Sequence, residues 1–403
     1  LKYHILSYIL IIFCSSAFSK EARKDSLNTS KNNYWFSEVK YAAGYVTPST
    51  NFLKGKNRNG KPINFYHSGT ILFGKRTYGL KEWEELYNYP SYGVALYTAS
   101  FLNGGEELGI PSAVYGFFRA PIKRYKKVNL NYDIGVGVSF NWKPYDPVYN
   151  PFNLTIGSYS TLFFEFGIHL EIPLSERLYL MPGICFNHFS NGSLKKPNEG
   201  INMIAPSISL HYDFNPELPE FNKHDHSSPQ PDHELLFFIG AGAKQLELPP
   251  GINAITPWYN EVFFAASLTT GWQKRLNRRT KAGLGVDFAY DESFASEIVL
   301  DEDRNPHKKH GDFKDGISIG IFGSGELELD RVSVSFALGY YLLRGKGNED
   351  DGNFFQMLGI KYYLLKNSFL GINFRLTDFS NADYISWMVG HRIVWDRKNK
   401  HRN

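Results

Sequence analysis

The sequence predicts an all-β chain of antiparallel transmembrane β-barrels, with about eight strands in each half. Three observations lead there. Tyr, Phe and Trp make up 16% of the 403 residues, with 36 Gly and only 4 Met, a composition that favours many strands and tight turns over packed helices. Apolar residues alternate with polar or small ones over stretches near the ~9 to 11 residues of a tilted membrane-spanning strand, and after the first residues no apolar run nears the ~20 residues of a membrane helix. The strand pattern also occurs twice, on either side of a polar linker. A strand that crosses lipid satisfies its backbone only in a closed barrel.

Taken in order, residues 1–19 begin with a base, continue with an apolar run from Ile5 to Phe13 and end on the small-residue exit Ala17-Phe18-Ser19. This is the layout of a secretory signal peptide, and it predicts export with cleavage near Lys20. Cys14 leaves with that segment, so the exported chain keeps Cys185 alone and forms no internal disulfide. Strands are expected near 36–48, 65–78, 91–102, 112–122, 128–142, 160–173, 177–190 and 201–214. Short turns such as "PLSER" alternate with long loops such as "KPYDPVYNPFNLTIGSY". In outer-membrane barrels short turns face the periplasm and long loops face outward. With the first strand running outward, the loop from Ser190 to Gly200 lies outside.

Residues 215–234, rich in Pro, charge and His, read as a linker. His224, Asp225, His226 and His233 have nothing to fix ligand geometry and carry no metal assignment. Beyond the linker, residues 235–403 hold strands near 235–248, 258–274, 279–291, 316–328, 331–344, 354–366, 369–378 and 384–395, with a long loop from Asp291 to Asp315. Tyr340, Tyr341 and Trp395 near strand ends fit the aromatic girdles of a membrane barrel. The halves also match each other. "FFEFGIHLEIPLSERLYLMPGICFNHFSNG" aligns with "FFQMLGIKYYLLKNSFLGINFRLTDFSNA" after one gap, keeping paired Phe, a Gly-Ile step and "FSN", as internal duplication would leave. A polar linker suits two closed barrels better than the alternative, one wide barrel of about sixteen strands.

Periodicity alone does not say which face meets water. In "TLFFEFGIHLEI", Leu162, Phe164, Phe166, Ile168, Leu170 and Ile172 share one face, and Glu165, Gly167, His169 and Glu171 the other. A soluble sandwich turns the polar face out; a membrane barrel turns it in. The export signal and the strand lengths favour the barrel.

One stretch carries chemistry: "CFNHFSNGSLKKPNEGIN", Cys185 to Asn202. His188 and Ser190 continue the aliphatic, lipid-side face of the seventh strand, and pairing across the loop sets Asn202 of the eighth strand beside His188. Residues i and i+2 on one face bring an imidazole near a hydroxyl, as general-base activation requires. By itself the pair reads more readily as two polar residues at the membrane boundary, bonded to water or to the turn, than as a catalytic pair.

The motif resembles that of the outer-membrane lipid A 3-O-deacylases of the PagL type, through His188, Ser190, Asn191, Pro197, Asn198 and Gly200. The resemblance covers the first half, about Trp35 to Phe214 of a barrel domain taken as residues 20–214, with the second half a diverged copy. It implies a serine esterase of the Gram-negative outer membrane, active towards the outer leaflet, that removes an ester-linked acyl chain from lipid A in lipopolysaccharide. His188 is then the base, Ser190 the nucleophile, and Asn191 or Asn198 with nearby backbone amides the oxyanion donors. Where the family has an acidic orienting residue this chain has Asn202, with Glu199 a nearby substitute. Lys195 and Lys196 would meet lipid A phosphates. No metal or organic cofactor is implied. In the second copy Asp378, Ser380 and Asn381 keep the frame without the base, which implies a silent half packed on the first as an intramolecular pseudo-dimer. The alternative is a non-catalytic barrel, porin-like or surface-binding. The formal charge of +4, with its bases scattered, sets nucleic-acid partners aside.

Overall fold

A computed structural model describes residues 33–217, 220–225, 232–248, 261–345, 352–379 and 381–395. The expected signal peptide with Cys14, His226 of the linker and Ser380 lie outside the described residues. The chain divides into two compact units after residue 224, with the short segment 192–197 grouped with the second.

The first unit is a closed eight-stranded barrel of β1 (Tyr34–Val46), β2 (Phe65–Arg76), β3 (Ser91–Phe101), β4 (Gly109–Arg124), β5 (Asn129–Trp142), β6 (Thr161–Pro173), β7 (Leu178–Ser190) and β8 (Ile201–Asp213). Each strand pairs antiparallel with its sequence neighbour, and β1 closes on β8 with Phe36 opposite Asp213 and Val46 opposite Met203. Two short helices, α1 (Glu82–Leu86) and α2 (Gly105–Leu108), sit in its loops. Because direction alternates, loops 47–64, 102–108, 143–160 and 191–200 gather at one end. Loops 77–90, 125–128 and 174–177 gather at the other.

The second unit is a separate closed barrel, so the sixteen-strand alternative does not form. It comprises β9 (His233–Lys244), β10 (Phe263–Arg275) and β11 (Thr280–Asp291), then β14 (Ile317–Leu329), β15 (Val332–Leu343), β16 (Phe354–Tyr363), β17 (Ser368–Thr377) and β18 (Asn381–Trp395), which closes on β9. The stretch expected as a plain loop after Asp291 instead holds a hairpin of β12 (Ser296–Leu300) and β13 (Pro306–His310). The aligned repeat segments fall on β6–β7 and β16–β17, the sixth and seventh strands of their barrels.

Burial decides the question that alternation left open. Along β6, Phe166 is 39% exposed whereas its neighbour Glu165 is 2% exposed, and the alternation continues through Ile168 and Leu170 outside and His169 and Glu171 inside. Greasy outside and charged inside is the membrane arrangement. Buried ions need partners, and the lumen supplies them. Lys40 Nζ lies 2.5 Å from Glu165 Oε1, whose partner oxygen accepts from Asn187. Arg119 bridges Glu38 and Asp133, and Asp133 also meets His169. Arg76 holds Asp213 and Glu171 beside His211. Aromatic rings fill the rest, at the cost of side chains on the wall: a Cβ at Gly74 would lie 2.6 Å from the Phe36 ring and 2.8 Å from that of Phe117. The second lumen repeats the scheme with Arg375–Asp287, Lys361–Glu326 and Lys281–Glu234 pairs.

Two expectations need correction. Tyr340 and Trp395 are exposed on the outer wall, but Tyr341 points inward and accepts a bond from Arg375 Nε at 3.1 Å; period-2 alternation excludes adjacent residues from one girdle. The linker is also not wholly solvated. Phe221 stacks on Tyr89 with centroids 4.1 Å apart, and His224 Nε2 lies 2.9 Å from the Gly79 carbonyl oxygen. His233 instead opens β9, stacked between Trp272 and Trp395.

Neighbours on β6 should therefore respond in opposite senses to polarity. Glu165→Ala strands the buried Lys40 ammonium and is expected to cost ~3–5 kcal/mol, and Phe166→Arg, which sets a charge against lipid, ~2–4 kcal/mol. Denaturant unfolding of the protein in lipid vesicles reads both. Neutral behaviour of Phe166→Arg would contradict the membrane-facing assignment.

Candidate active site

The odd-numbered side chains of β7 fill the lumen, among them Met181, Cys185, Asn187 and Phe189. The even-numbered ones therefore form the outer wall, and His188 and Ser190 occupy its last two positions. Register sets His188 opposite Asn202 of β8 on one side and Phe164 of β6 on the other, with Ser190 opposite Leu162. The pairing of His188 with Asn202 expected from the sequence is the one observed.

His188 Nδ1 lies 2.6 Å from Asn202 Oδ1. A carbonyl oxygen only accepts, so Nδ1 carries the proton and Nε2 keeps its lone pair. That is the tautomer a general base requires. The loop after β7 then folds back on the serine. Asn198 Nδ2 donates to Ser190 Oγ at 2.9 Å, while Asn198 Oδ1 accepts the Asn191 backbone N–H at 3.0 Å. One buried amide thus fixes both the hydroxyl and the turn that follows it. Glu199 is exposed in the loop, and Asn202, not Glu199, is the partner seen on Nδ1. Lys195 and Lys196 are half-buried.

Loop 143–160 supports this turn from outside. Asn191 Nδ2 donates to Ser158 Oγ at 3.0 Å, the Gly200 N–H donates to the Thr155 carbonyl at 3.3 Å, and Ile156 bridges to Asn198. Asn153 braces that loop in turn: Nδ2 donates to the Glu107 and Lys143 carbonyls, and Oδ1 accepts the N–H groups of Thr155 and Ile156. From β1, the Thr47 N–H donates to the Asn202 carbonyl at 2.9 Å. Sequence reasoning did not single out Thr47, Asn153, Thr155 or Ser158. The run "FNLTIGSYS" reads only as turn residues, with nothing local to name its distant partners. Gly200 has φ +70°, and a Cβ there would lie 2.9 Å from the Phe189 carbonyl oxygen and 3.3 Å from His188 Cε1.

The matching place in the second barrel is built differently. β17 stops at Thr377, which pairs with Asn381, and Asp378 and Phe379 have φ of 49° and 62°. Asp378 is thus a turn residue, and its Oδ2 accepts the Gly352 N–H at 2.9 Å. The expectation that Asp378 and Asn381 keep the frame is corrected: the aligned letters persist, but the ten-residue loop 191–200 has shrunk to a hairpin turn, so no counterpart of Asn198 or Gly200 exists there. Among the described residues no cluster of three or more His, Cys, Asp or Glu could hold a metal ion.

Two family models match the chain: lipid A 3-O-deacylase (PagL) over residues 69–211, and the acyloxyacyl hydrolase C-terminal domain over residues 233–395. Among solved structures, the outer membrane enzyme PagL is 17% identical, with 43% of this chain and 98% of that one covered, at a TM-score of 0.29. The siderophore receptor PirA from Acinetobacter baumannii is 9% identical, covering 85% of this chain and 57% of that one at a TM-score of 0.20. A Rhodopseudomonas blastica porin triple mutant is 12% identical, covering 90% and 100% at 0.16. No curated protein matches.

Gly200→Ala combines a left-handed backbone with a Cβ driven at a carbonyl oxygen. It is expected to destabilise the first barrel by ~1–3 kcal/mol, measured by denaturant unfolding in vesicles.

Proposed function

We propose that the first barrel of this chain, which belongs to the PagL family through a lipid A 3-O-deacylase match in its first half and an acyloxyacyl hydrolase C-terminal domain match in its second, hydrolyses its ester through His188 and Ser190. Family membership makes the protein an outer-membrane ester hydrolase of Gram-negative bacteria. The observation that carries the finer reading is the 2.6 Å bond between His188 Nδ1 and Asn202 Oδ1, two residues from a serine whose Oγ receives the Asn198 amide.

In this mechanism His188 Nε2 takes the Ser190 proton as Oγ attacks the ester carbonyl carbon. Asn198 Nδ2, already beside Oγ, stabilises the oxyanion, while the Asn191 N–H that follows Ser190 is held by Asn198 Oδ1 and fixes the turn. Asn191 serves by holding that turn, since its side chain is bonded to Ser158. Collapse breaks the bond to the sugar oxygen, which takes the proton from His188. Water then gives a proton to His188 and attacks the acyl-Ser190, releasing the fatty acid and restoring the hydroxyl. Asn202 holds the tautomer but supplies no charge to offset the imidazolium.

The pair stands on the outer wall at the end where the long loops gather, the end that would face the outer leaflet, with residues 1–19 as the export signal. Lipid A meets a wall site without leaving the membrane; Lys195 and Lys196 lie in the adjoining loop, where the Lys196 ammonium is already paired with Glu247 at 3.2 Å. The second barrel, residues 235–403, lacks base and loop and is catalytically silent, a tethered partner after the linker 215–234.

Mass spectrometry of lipid A from membranes carrying the protein should show loss of one acyl chain, and Ser190→Ala or His188→Ala should lower the rate by ~10⁴-fold or more. Lipid A identical in parent and Ser190→Ala membranes, with both barrels folded, would sink the proposal. Asn202→Ala is expected to reduce kcat by ~10-fold or more, because the ring loses its fixed tautomer. Asn202→Asp should raise kcat by supplying the missing charge. A fall in Asn202→Asp would mean that the neutral amide is the required partner.

A further inference from the structure

The loop between β1 and β2, residues 47–64, carries Lys54, Lys56, Arg58 and Lys61 and neither Asp nor Glu. All four basic side chains are exposed. Among the described residues the ammonium groups of Lys54, Lys56 and Lys61 meet no carboxylate, and Arg58 spends one guanidinium nitrogen on the Tyr149 carbonyl, at 2.7 Å.

This is not a floppy basic tail. Phe52, Leu53 and Ile63 are buried beneath it. Asn57 is buried and its Nδ2 ties the Phe52 and Lys61 carbonyls together. Thr50 Oγ1 accepts the Leu53 N–H and lies 3.0 Å from Thr155 Oγ1 of the loop that braces the site. The carboxylates nearby are turned to structural use. Both Glu107 oxygens accept the Arg58 backbone N–H, each at 3.2 Å, and Asp146 caps Val148 and Tyr149. Glu107 is buried and Asp146 half-buried, and although Glu106 and Glu199 at the same end are exposed, loop 47–64 itself presents four cations and no anion, which leaves a positive potential at its rim.

The loop leaves β1 at Thr47, whose N–H holds the Asn202 carbonyl. The strand order β7, β8, β1 therefore runs from Ser190 through the orienting Asn202 to the base of this loop. We infer that loop 47–64 is the headgroup-recognition surface of the enzyme, with Lys54, Lys56, Arg58 and Lys61 binding phosphate groups on the sugar of the membrane lipid whose ester reaches Ser190. The inference rests on the esterase reading for its substrate. In a phosphorylated glycolipid, ester and phosphate share one saccharide. A wall site that takes the ester at the rim sets the phosphates on top of the rim, where these cations stand. Charge-assisted bonds from lysine and arginine suit phosphate oxygens.

The test uses full-length Ser190→Ala protein in detergent micelles, so that binding is read without turnover. Bisphosphorylated lipid A is expected to bind ~10-fold or more tightly than the same lipid A enzymatically stripped of phosphate. Adding Lys54→Gln, Lys56→Gln and Lys61→Gln should abolish that preference. The corresponding triple Arg variant should keep it, which separates lost charge from lost folding. The preference should also weaken as salt rises. Equal binding of the two lipids, or a preference that survives the triple Gln variant, would overturn the inference. So would phosphatidylglycerol that competes equally at equal charge, since that marks a general anionic-surface patch. A preserved preference in a protein whose parent does not cleave lipid A would support this surface and count against the esterase reading alone.

Discussion

A strand that crosses lipid has no water for its amides, and closure of β1 on β8 is the constraint on which the first barrel depends. Once the sheet closes, every side chain goes either to lipid or to a narrow lumen, and the lumen of eight strands is filled by side chains. Here the filling is ionic as well as aromatic. Lys40–Glu165, Arg119–Glu38 and Arg76–Asp213 join strands far apart in sequence across the interior, and Arg119 also holds Asp133 of the next strand. Each pair is tolerable because every charge has a partner, and each would be costly with one partner removed. Closure also fixes where chemistry can sit. A residue meets lipid only from the outer wall, so a pair working on a membrane lipid must use outward positions.

His188 and Ser190 occupy the last two such positions of β7, and the wall alone does not complete the proposed site. The strand supplies the spacing, the β7–β8 register supplies Asn202, and loop 191–200 supplies Asn198. That loop is held by Ser158, Thr155 and the bracing Asn153 of another loop. The second barrel makes the same point by contrast. It keeps closure, an ion-paired lumen and the Phe-Ser-Asn letters of the motif, yet β17 ends early and Asp378 turns into a hairpin. Loss of the loop, more than the change of one side chain, separates the halves.

Much of this is legible in the sequence alone. Period 2 placed His188 and Ser190 on one face and, with a loop joining adjacent strands, placed Asn202 beside His188. The same rule, followed strictly, would have kept Tyr341 out of the girdle. The strut residues were not readable. Thr47, Asn153, Thr155 and Ser158 lie in loops without periodicity, and their partners are set by which loops share an end of the barrel. The Phe221 and His224 contacts in the linker escaped for the same reason.

The sequence by itself determined strand number, alternation, the doubled architecture and the placement of His188, Ser190 and Asn202 on one wall, because local periodicity and nearest-neighbour pairing are properties of short stretches. Only the tertiary structure decided which face was out, that closure came twice at eight strands, that Asn202 offers its oxygen to Nδ1, and that the second motif is a turn. Those outcomes depend on ring closure and on contacts between loops remote in sequence, which no local pattern encodes.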